Sequence, residues 1–574
     1  MNYYFSKKKL AIMLLLAAAV IFAAQSCYVE SKPWSFGVMG DTQWTPYKII
    51  DGKFVSYDPE GTNPNNVSVS IIKQIQQEFI KKGVKFVIQV GDLSDEGNDE
   101  AIVTRAEAAQ ELYDAGIGFF PIRGNHETYC SIFFRGQDNG FGVPVMQSSF
   151  PQNREGNDHH CDAYNFSSPT NADFPNMESE LNGLSYAFDY GDHGNNATFV
   201  LLDPWATPTQ LNEDFYNTLR VYYGYTIGSQ QGWISKRLNK DTRGTVHAFV
   251  FSHQPLIAAN HIDSPFGFLD SAIDDQNAFY KDLSDNDVAY YISGHDHIYE
   301  RTIVTSPDGN SNVEQLIASP ACPKFYDSLP DDNPGWHGQK YRATPLSQEK
   351  NNVGFYIYTV NGPTVTVDYY SDINGNFGDT NKWPDKIADE NGYASCATPT
   401  FNFVKKETWS FSLDGKSFII PQGEDYSVVM DEFAGTFAKI LGGTNNSTAV
   451  NDLEKSFVKK VNTSWDVDQK YDNLHSNILR LTGMADFNST TTDIYVLSMS
   501  CNDKMLEKNP KYYLAARNSD GRFVNAVDLN DGGTKTFVNG SWDASYGLGT
   551  YGFDRATNTV WAVVNFNGTF AIKK

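Results

Sequence analysis

Polar side chains that bind metals or transfer protons follow several apolar stretches of this chain. One stretch, residues 84–90, ends just before Asp92, and another, residues 117–122, ends just before Asn125 and His126. Asp92 offers a hard anionic oxygen, Asn125 offers a neutral amide oxygen, and His126 titrates near neutral pH. Together these residue types suit metal binding combined with proton transfer.

The residues between these two groups predict the element that brings them together. Residues 99–115 have a helical pattern, and Gly116 follows where a helix often ends. A strand, a helix and a second strand at this spacing form a βαβ unit, whose strands are parallel and whose crossover is almost always right-handed. Both polar groups are therefore expected at the carboxyl edge of the sheet, where open α/β sheets bind ligands.

Three more predicted strands end in side chains that bind metals. They are residues 34–40, which precede Asp41, residues 246–251, which precede His253, and residues 288–292, which precede His295 and His297. A single Gly-Asp at a strand end is more often a turn, and a lone histidine is more often a core residue. Five such ends in order along one sheet favour a metal centre.

These groups, taken in order, resemble the calcineurin-like metallophosphoesterases, and among them the purple acid phosphatases most closely. The motifs that carry the resemblance are Gly40-Asp41, Gly91-Asp92-Leu93-Ser94, Gly124-Asn125-His126-Glu127, Val250-Phe251-Ser252-His253 and Gly294-His295-Asp296-His297-Ile298-Tyr299-Glu300-Arg301. The similarity covers approximately residues 34–370 and does not extend to the region after residue 400.

The resemblance implies a four-layer α/β/β/α fold that holds two metal ions. The implied ligands are Asp92 as the bridge, Asp41 and His297 at one site, and Asn125, His253 and His295 at the other. The implied reaction is hydrolysis of a phosphate ester by a hydroxide that bridges the two metals. His126 would bind the phosphoryl group and protonate the leaving oxygen. His261 lies where these phosphatases carry a substrate-binding histidine.

Two positions depart from the pattern of the family. The purple enzymes have tyrosine at the position of Asp95, and many other members have histidine at the position of Gln43. Gln43 is predicted to donate its amide oxygen, which is a weaker ligand than imidazole. Asp95 is expected either to donate a carboxylate or to cap the helix that follows. The identity of the metals therefore stays open among Fe, Mn and Zn.

Length and charge limit the organisation and the partners of the chain. A chain of 574 residues is too long for one ordinary core, and a net charge of −24 argues against nucleic acid as a binding partner. The predicted units are a signal peptide (1–26), a metallophosphoesterase domain (27–375), a linker (376–405) and a mainly-β, sandwich-like C-terminal domain (406–574). This last domain is a candidate for binding a glycan or another protein.

The N-terminus has the pattern of an export signal. Three lysines at residues 7–9 precede an apolar run over residues 10–24. The following Gln25-Ser26-Cys27 resembles a bacterial lipoprotein cleavage box, so the chain is expected to be anchored to the membrane through Cys27 in the cell envelope, or secreted if the signal is an ordinary one. Export also permits disulfides, and proximity suggests the pairs Cys130–Cys161 and Cys322–Cys396.

The function predicted from these patterns is that of an exported dinuclear-metal phosphohydrolase that cleaves phosphomonoesters. One alternative is a phosphodiesterase or nucleotidase that uses the same site. The other alternative is a surface binding module with a degraded metal site. The retained ligands and His126 argue against degradation, whereas Gln43 and Asp95 argue mildly for it.

Overall fold

The computed structural model describes the two domains and parts of the segments between them. The described residues are 32–43, 47–50, 53–56, 67–130, 141–171, 181–192, 194–205, 225–362, 364–373, 387–388, 394–395, 400–412, 417–420, 425–427, 437–442, 457–458, 461–466, 474–476, 478–482, 494–501 and 512–574. The predicted signal peptide with Cys27, and most of the predicted linker, lie outside them. Among the described helices, none is long and apolar enough to cross a membrane.

The first sheet of the N-terminal domain has six strands. In spatial order they are Phe403–Ser412, Thr364–Asp372, Gly354–Asn361, Trp34–Met39, Phe86–Gln89 and Gly118–Pro121. The last three strands run parallel to one another. This arrangement confirms the predicted βαβ unit, so the chain leaves these strands at one common edge of the sheet.

The second sheet has nine strands and faces the first. In spatial order they are Phe457–Val458, Ala343–Glu349, Tyr299–Thr305, Asn312–Ile317, Val288–Ser293, His247–Ser252, Asn195–Leu202, Tyr186–Asp192 and Tyr164–Ser167. Its central strands, from Asn312–Ile317 to Asn195–Leu202, are parallel neighbours. The strands that precede His253 and His295 therefore also end at a common edge.

An aromatic core fills the space between the two sheets. The ring of Phe36, from the first sheet, lies 5.0 Å from the ring of Phe199 and 5.2 Å from the ring of Phe249, both from the second sheet. Edge-to-face contacts of this kind stabilise a core beyond the area that they bury. Helices cover the outer faces, where Phe79 packs on Phe355 of the first sheet. The layers are thus helix, sheet, sheet and helix, which confirms the four-layer fold.

The helices follow the predicted pattern with one interruption. The described α-helices are Val69–Lys82, Asp99–Ala108, Gln110–Asp114, Val143–Ser149, Ile227–Leu238 and Ile273–Asp285, and short 3-10 or π turns lie at Pro151–Asn153, Pro334–Trp336, Lys340–Arg342, Ala526–Leu529 and His126–Cys130. The helix predicted over residues 99–115 is broken at Ala109. Its N-cap is Asn98, whose side chain accepts from the Ala101 amide at 2.9 Å, so Asp95 does not cap it.

The C-terminal region forms two further six-stranded sheets. One contains Ser417–Ile420, Val461–Asp466, Ile478–Thr482, Gly568–Lys573, Tyr513–Arg517 and Phe523–Asn525, and the other contains Asp425–Ser427, Phe437–Gly442, Ile494–Ser500, Thr559–Val564, Thr550–Asp554 and Thr536–Asn539. Buried side chains of both sheets, among them Leu497 and Phe570, share one core. This arrangement confirms a mainly-β C-terminal domain.

The strand Phe403–Ser412 belongs to the first sheet of the N-terminal domain. It pairs antiparallel with Thr364–Asp372 along nearly its whole length. The predicted boundary at residue 406 falls inside this strand. Composition marked the polar segment before it, but the pairing of the strand is set by residues far away in the sequence.

The predicted disulfide pairs are wrong for the cysteines that the structure describes. Cys161 and Cys322 are free thiols, so neither proposed disulfide pair is found, and Cys396 itself lies outside the described residues. Spacing along the chain does not bring cysteines within bonding distance unless the backbone also folds back. His159 stacks on Phe166 at a ring distance of 3.7 Å, and His160 stacks on Tyr113 at 4.1 Å.

Candidate active site

Seven predicted ligand residues meet at the carboxyl edges of the two sheets, and all of them are buried. They are Asp41, Gln43, Asp92, Asn125, His253, His295 and His297. Two groups of three among them place one ligand atom each within 4.8 Å of one another: Asp92, His253 and His295 form one, and Asp41, Asp92 and His297 form the other. Asp92 is common to both groups, as a bridging ligand must be.

Three of these residues adopt a backbone conformation that L-residues rarely use. The φ angle is 45° at Asp92, 73° at His295 and 50° at His297. Such conformations cost free energy, and they persist where the surrounding structure holds them in place. Here each of the three residues follows the end of a strand and contributes a side chain to one of the two ligand groups.

The glycines of the motifs make room for the ligand side chains. A Cβ atom added to Gly124 would lie 2.1 Å from Oδ1 of Asp92, and one added to Gly294 would lie 2.3 Å from Oδ1 of Asp41. At Gly91 it would lie 2.4 Å from Nδ1 of His253. These distances are too short for any side chain, so glycine is required by close packing against the ligands.

Two ligand histidines each use Nδ1 to hold the ring in place. Nδ1 of His253 donates to the Val90 carbonyl at 2.7 Å, and Nδ1 of His297 donates to the Lys324 carbonyl at 2.6 Å. These bonds fix the tautomer, so that Nε2 is the nitrogen directed into the site. Nε2 of His253 lies 2.9 Å from Oδ1 of Asn125, and Nε2 of His297 lies 3.0 Å from Oδ2 of Asp41.

Carboxylates orient two other histidines. Nε2 of His295 lies 3.3 Å from Oδ1 of Asp263, which makes Nδ1 the nitrogen that would bind a metal. Nδ1 of His261 bonds Oδ1 of Asp296 at 2.8 Å. The His261 ring also stacks on His295, with ring centroids 3.8 Å apart, so the structure brings this predicted substrate-binding histidine to the site.

His126 lies beside the shared carboxylate without being one of its partners in a metal group. Its Nδ1 donates to the Asp95 carbonyl at 2.6 Å, which leaves Nε2 3.9 Å from Oδ2 of Asp92. Burial lowers the pKa of His126, although the Asp92 carboxylate acts in the opposite direction. An imidazole held in this way can carry a proton on Nε2 to or from a bound molecule.

The carboxylates raise the pKa values of two buried groups next to them. Burial alone would lower the pKa of His253, but the carboxylates of Asp92 and Asp41 outweigh it and raise the pKa to about 10. Burial, together with Asp92, raises the pKa of Glu127 to about 8. Both shifts come from negative charge gathered around buried groups, which is the kind of environment that binds a cation.

One buried oxygen indicates that a cation completes this arrangement. Oδ1 of Asp41 is buried and has no hydrogen-bond partner among the residues that the structure describes, whereas Oδ2 accepts from the His295 amide at 2.9 Å. Leaving a buried carboxylate oxygen without a partner is costly. The donor types are carboxylate, imidazole and amide oxygen, which suit Fe, Mn and Zn, so the residues fit a pair of metal ions.

Gln43 and Asp95 are both engaged with a lysine that the sequence did not indicate. Oε1 of Gln43 accepts from Nζ of Lys324 at 2.7 Å, and Oδ1 of Asp95 lies 3.2 Å from the same atom. The amide nitrogen of Gln43 faces the site, 2.8 Å from Oδ2 of Asp92 and 2.9 Å from Nε2 of His297. The role of Gln43 as an oxygen ligand stays a prediction.

Four further residues shape the site, and sequence patterns gave little sign of two of them. Glu127 and Asp296 lie within the motifs, and Glu127 accepts from the Gly124 amide at 2.9 Å. Asp263 lies in the two-residue strand Asp263–Ser264 and Lys324 in an irregular segment, and both are brought in only by the fold. Arg123 does not face the site, because it pairs with Asp203 at 2.6 Å.

Comparison with known proteins agrees with this geometry. Residues 35–299 match the family model of the calcineurin-like phosphoesterases. No curated protein matches the chain significantly. The motif residues from Asp41 to His297 fall within the matched segment.

Several solved structures are similar in outline. A dimetal phosphatase from Danio rerio is 15% identical over 58% of this chain and 95% of its own, with a TM-score of 0.34. A purple acid phosphatase from yellow lupin (Lupinus luteus) seeds is 14% identical over 67% of this chain and 54% of its own, with a TM-score of 0.36. PhoD is 11% identical over 66% of this chain and 70% of its own, also with a TM-score of 0.36.

The fold, the two ligand groups that share Asp92 and the family match over residues 35–299 define a metallophosphoesterase domain whose ligands suit two metal ions. The chain contains a calcineurin-like phosphoesterase domain, and it is a metal-dependent phosphoric ester hydrolase.

Proposed function

We propose that this chain is an exported phosphomonoesterase held at the cell envelope by a lipid on Cys27. The observation that carries the catalytic part is the pair of ligand groups that share Asp92, with His126 and His261 beside them. The leader-like residues 7–27 support the location.

One set of residues would bind the metal ions, and another would contact the substrate. Asp41, Asp92 and His297 would hold one ion, and Asp92, Asn125, His253 and His295 would hold the other. When bound, two such ions activate water and neutralise phosphate oxygens. The protein supplies fixed positions for them, because each ligand histidine is anchored through its second nitrogen.

Two histidines would act directly on the substrate. His126 would hold the proton on Nε2 and deliver it to the leaving oxygen, since its Nδ1 is already bonded to the Asp95 carbonyl. His261 would contact a phosphoryl oxygen, and Asp296 keeps its ring in the required orientation. The side chain of His261 is 31% exposed, so it can meet a substrate that enters from solvent.

The proposal is tested by hydrolysis assays on protein that has been stripped of metal and reloaded. Mn, Zn and Fe would each be added, and phosphomonoesters, phosphodiesters and nucleotides would be compared at equal concentration. We expect metal-dependent turnover with phosphomonoesters as the preferred class. A preference for diesters or nucleotides would favour the alternative enzyme, and metal-bound protein with no turnover on any class would favour a binding module.

The location is tested separately with Cys27→Ser. The lipid is the only anchor that the sequence suggests, so this substitution should move the protein from the detergent phase to the aqueous phase or leave it uncleaved. Unchanged partitioning of protein whose leader has been removed would reject the anchor and would leave the enzymatic proposal intact.

A further inference from the structure

The segment that follows the strand Asn312–Ile317 forms a wall on one end of the site. Its Lys324 carbonyl accepts from Nδ1 of His297 at 2.6 Å, and the ring of Tyr326 lies 4.8 Å from the His297 ring. Nothing in the motifs indicates this wall. It contacts the group formed by Asp41, Asp92 and His297 through the His297 side chain.

The ammonium of Lys324 occupies a sheltered position in this wall. It lies 2.7 Å from Oε1 of Gln43 and 3.2 Å from Oδ1 of Asp95. The side chains of Lys324 and Asp95 are only 20% and 17% exposed. Charges that are partly withdrawn from water are screened less than surface charges, so the ammonium acts on its surroundings more strongly than a surface lysine would.

The ammonium therefore engages Oε1 of Gln43 and Oδ1 of Asp95, the two oxygens that could otherwise serve as additional metal ligands at this end. With Oε1 held by Lys324, Gln43 turns its N–H groups toward the site, and an N–H donor repels a cation. Asp95 is held through its side chain by Lys324, while its carbonyl accepts from His126. The described donor set at this end is left with two carboxylates, one of them shared, and one imidazole.

The geometry points to Lys324 as the residue that determines whether this end of the site binds a divalent or a trivalent metal ion. Its ammonium keeps the oxygens of Gln43 and Asp95 from the ion held by Asp41, Asp92 and His297, and it adds a positive charge beside that ion. A trivalent ion is repelled more than a divalent one. Lys324 thus selects a divalent ion.

The size of this effect follows from the extra unit of charge. A unit charge a few ångströms beyond the ligands, in a partly screened environment, changes the ratio of trivalent to divalent binding by on the order of 10- to 100-fold. Lys324→Met removes the charge and keeps the length of the side chain. Lys324→Arg keeps the charge and serves as the matched control.

The inference rests on the proposed dinuclear site, and the experiment separates the two. Metal-free wild type, Lys324→Met and Lys324→Arg would be offered equal concentrations of Fe(III) and Zn(II), with a chelating buffer to hold both in solution. Bound metals would be counted after gel filtration, and folding would be compared by thermal melting. Visible spectra would report any tyrosine bound to ferric iron.

We expect wild type and Lys324→Arg to bind mainly Zn(II), and Lys324→Met to shift the ratio of bound iron to zinc by at least 10-fold. The same ratio in folded Lys324→Met and wild type would overturn the role of Lys324 and leave the metal site standing. Wild type that binds neither metal would overturn both. If Lys324→Met does not fold, Asp95→Asn replaces it. This substitution removes the negative charge that faces the Lys324 ammonium, so the ratio of bound iron to zinc must fall below that of wild type. An unchanged or higher ratio would reject the role of Lys324 in metal selection.

Discussion

At the scale of single residues, the site is built from histidines that are each held by an oxygen acceptor. His253 and His297 are held by backbone carbonyls, and His261 is held by Asp296. Fixing one nitrogen determines which nitrogen faces the site, and the side chain then loses little freedom when it binds. This explains why a site of long, polar side chains can be buried and still be ordered.

His126 is the residue for which this arrangement makes the clearest kinetic prediction. His126→Ala should lower turnover on an alkyl phosphate by roughly 10²–10⁴-fold, because the leaving alkoxide then lacks a proton donor. The loss should be much smaller for an activated aryl phosphate, whose leaving group needs no proton. Steady-state kinetics on both esters checks this.

The control for this substitution is His160→Ala, since His160 stacks on Tyr113 away from the ligand groups. Its kinetics should match those of wild type on both esters. Equal losses on the two esters in His126→Ala would assign His126 to binding rather than to proton transfer.

At the scale of elements, strand ends and their glycines create the site. Gly124 has a backbone that lies against Asp92, and a Cβ atom there would be 2.1 Å from Oδ1. Gly124→Ala should therefore displace the bridging carboxylate and lower both bound metal and turnover, by at least about 10-fold for turnover. Metal analysis and an assay on the same sample measure this.

A glycine with open space around its Cβ position provides the matched control. An alanine Cβ at Gly547 would have nothing within 4 Å. Gly547→Ala should keep its metal and its activity. Unchanged metal content in Gly124→Ala would show that the Asp92 side chain can move aside without leaving the metals.

The ligands at strand ends could be predicted because their signals are local. An apolar run followed by Gly-Asp or by a histidine pair identifies both the strand and its end, and parallel order then brings the ends together. Lys324 and Asp263 could not be found in this way, since neither follows an apolar run that marks the end of a buried strand, and only the tertiary fold brings them to the site. The break at Ala109 was missed for a related reason, because an alanine carries no helix-ending signal.

The boundary between the domains also could not be located from local sequence signals alone. The polar segment before residue 400 was visible in the composition, but the strand Phe403–Ser412 returns to the first sheet through pairing with distant residues. Pairings of this kind depend on the partner strand and on burial more than on the propensity of the segment itself.

At the scale of the whole molecule, this returning strand is fixed by a buried charge. Glu407 accepts from Tyr299 at 2.5 Å, from Arg301 at 2.7 Å and from Ser347 at 2.5 Å. Glu407→Leu would remove the fully buried partner of Arg301 and leave only Glu314, at 3.0 Å, so we expect a loss of up to roughly 3–5 kcal/mol in the free energy of unfolding. Denaturant titration of the domain measures this loss.

The control for Glu407 lies on the same strand. Lys405 pairs with Asp368 at 3.3 Å and is 48% exposed, so Lys405→Ala should cost no more than about 1 kcal/mol. A similar loss in both variants would mean that strand pairing alone holds Phe403–Ser412, without help from the buried ion pair.

A buried histidine far from the site should make stability depend on pH. Nε2 of His247 donates to the Gly362 carbonyl at 2.7 Å, a contact between the two sheets. Burial lowers the pKa of His247 to about 4. The unfolded chain, with its ordinary histidine pKa near 6.5, binds the proton first. Stability is therefore fully present above about pH 6.5 and is lost as the pH falls toward 4, by up to about 1.4 kcal/mol per pH unit.

The contribution of His247 is isolated by comparison with His247→Gln. Melting temperatures would be measured between pH 7.5 and pH 4.5 in the presence of a chelator, so that loss of metal does not contribute. The variant should lose less stability than wild type over this range. Parallel curves would show that other groups cause the acid sensitivity.

The central claim is that Asp92 is shared by two metal ions that carry out the hydrolysis. The most direct measurement is the number of metal ions per chain and the turnover on a phosphomonoester, both on the same samples of wild type and Asp92→Asn. We predict two ions in wild type, and in the variant the loss of at least one ion together with most of the activity. A variant that keeps two ions and nearly wild-type turnover would contradict the claim.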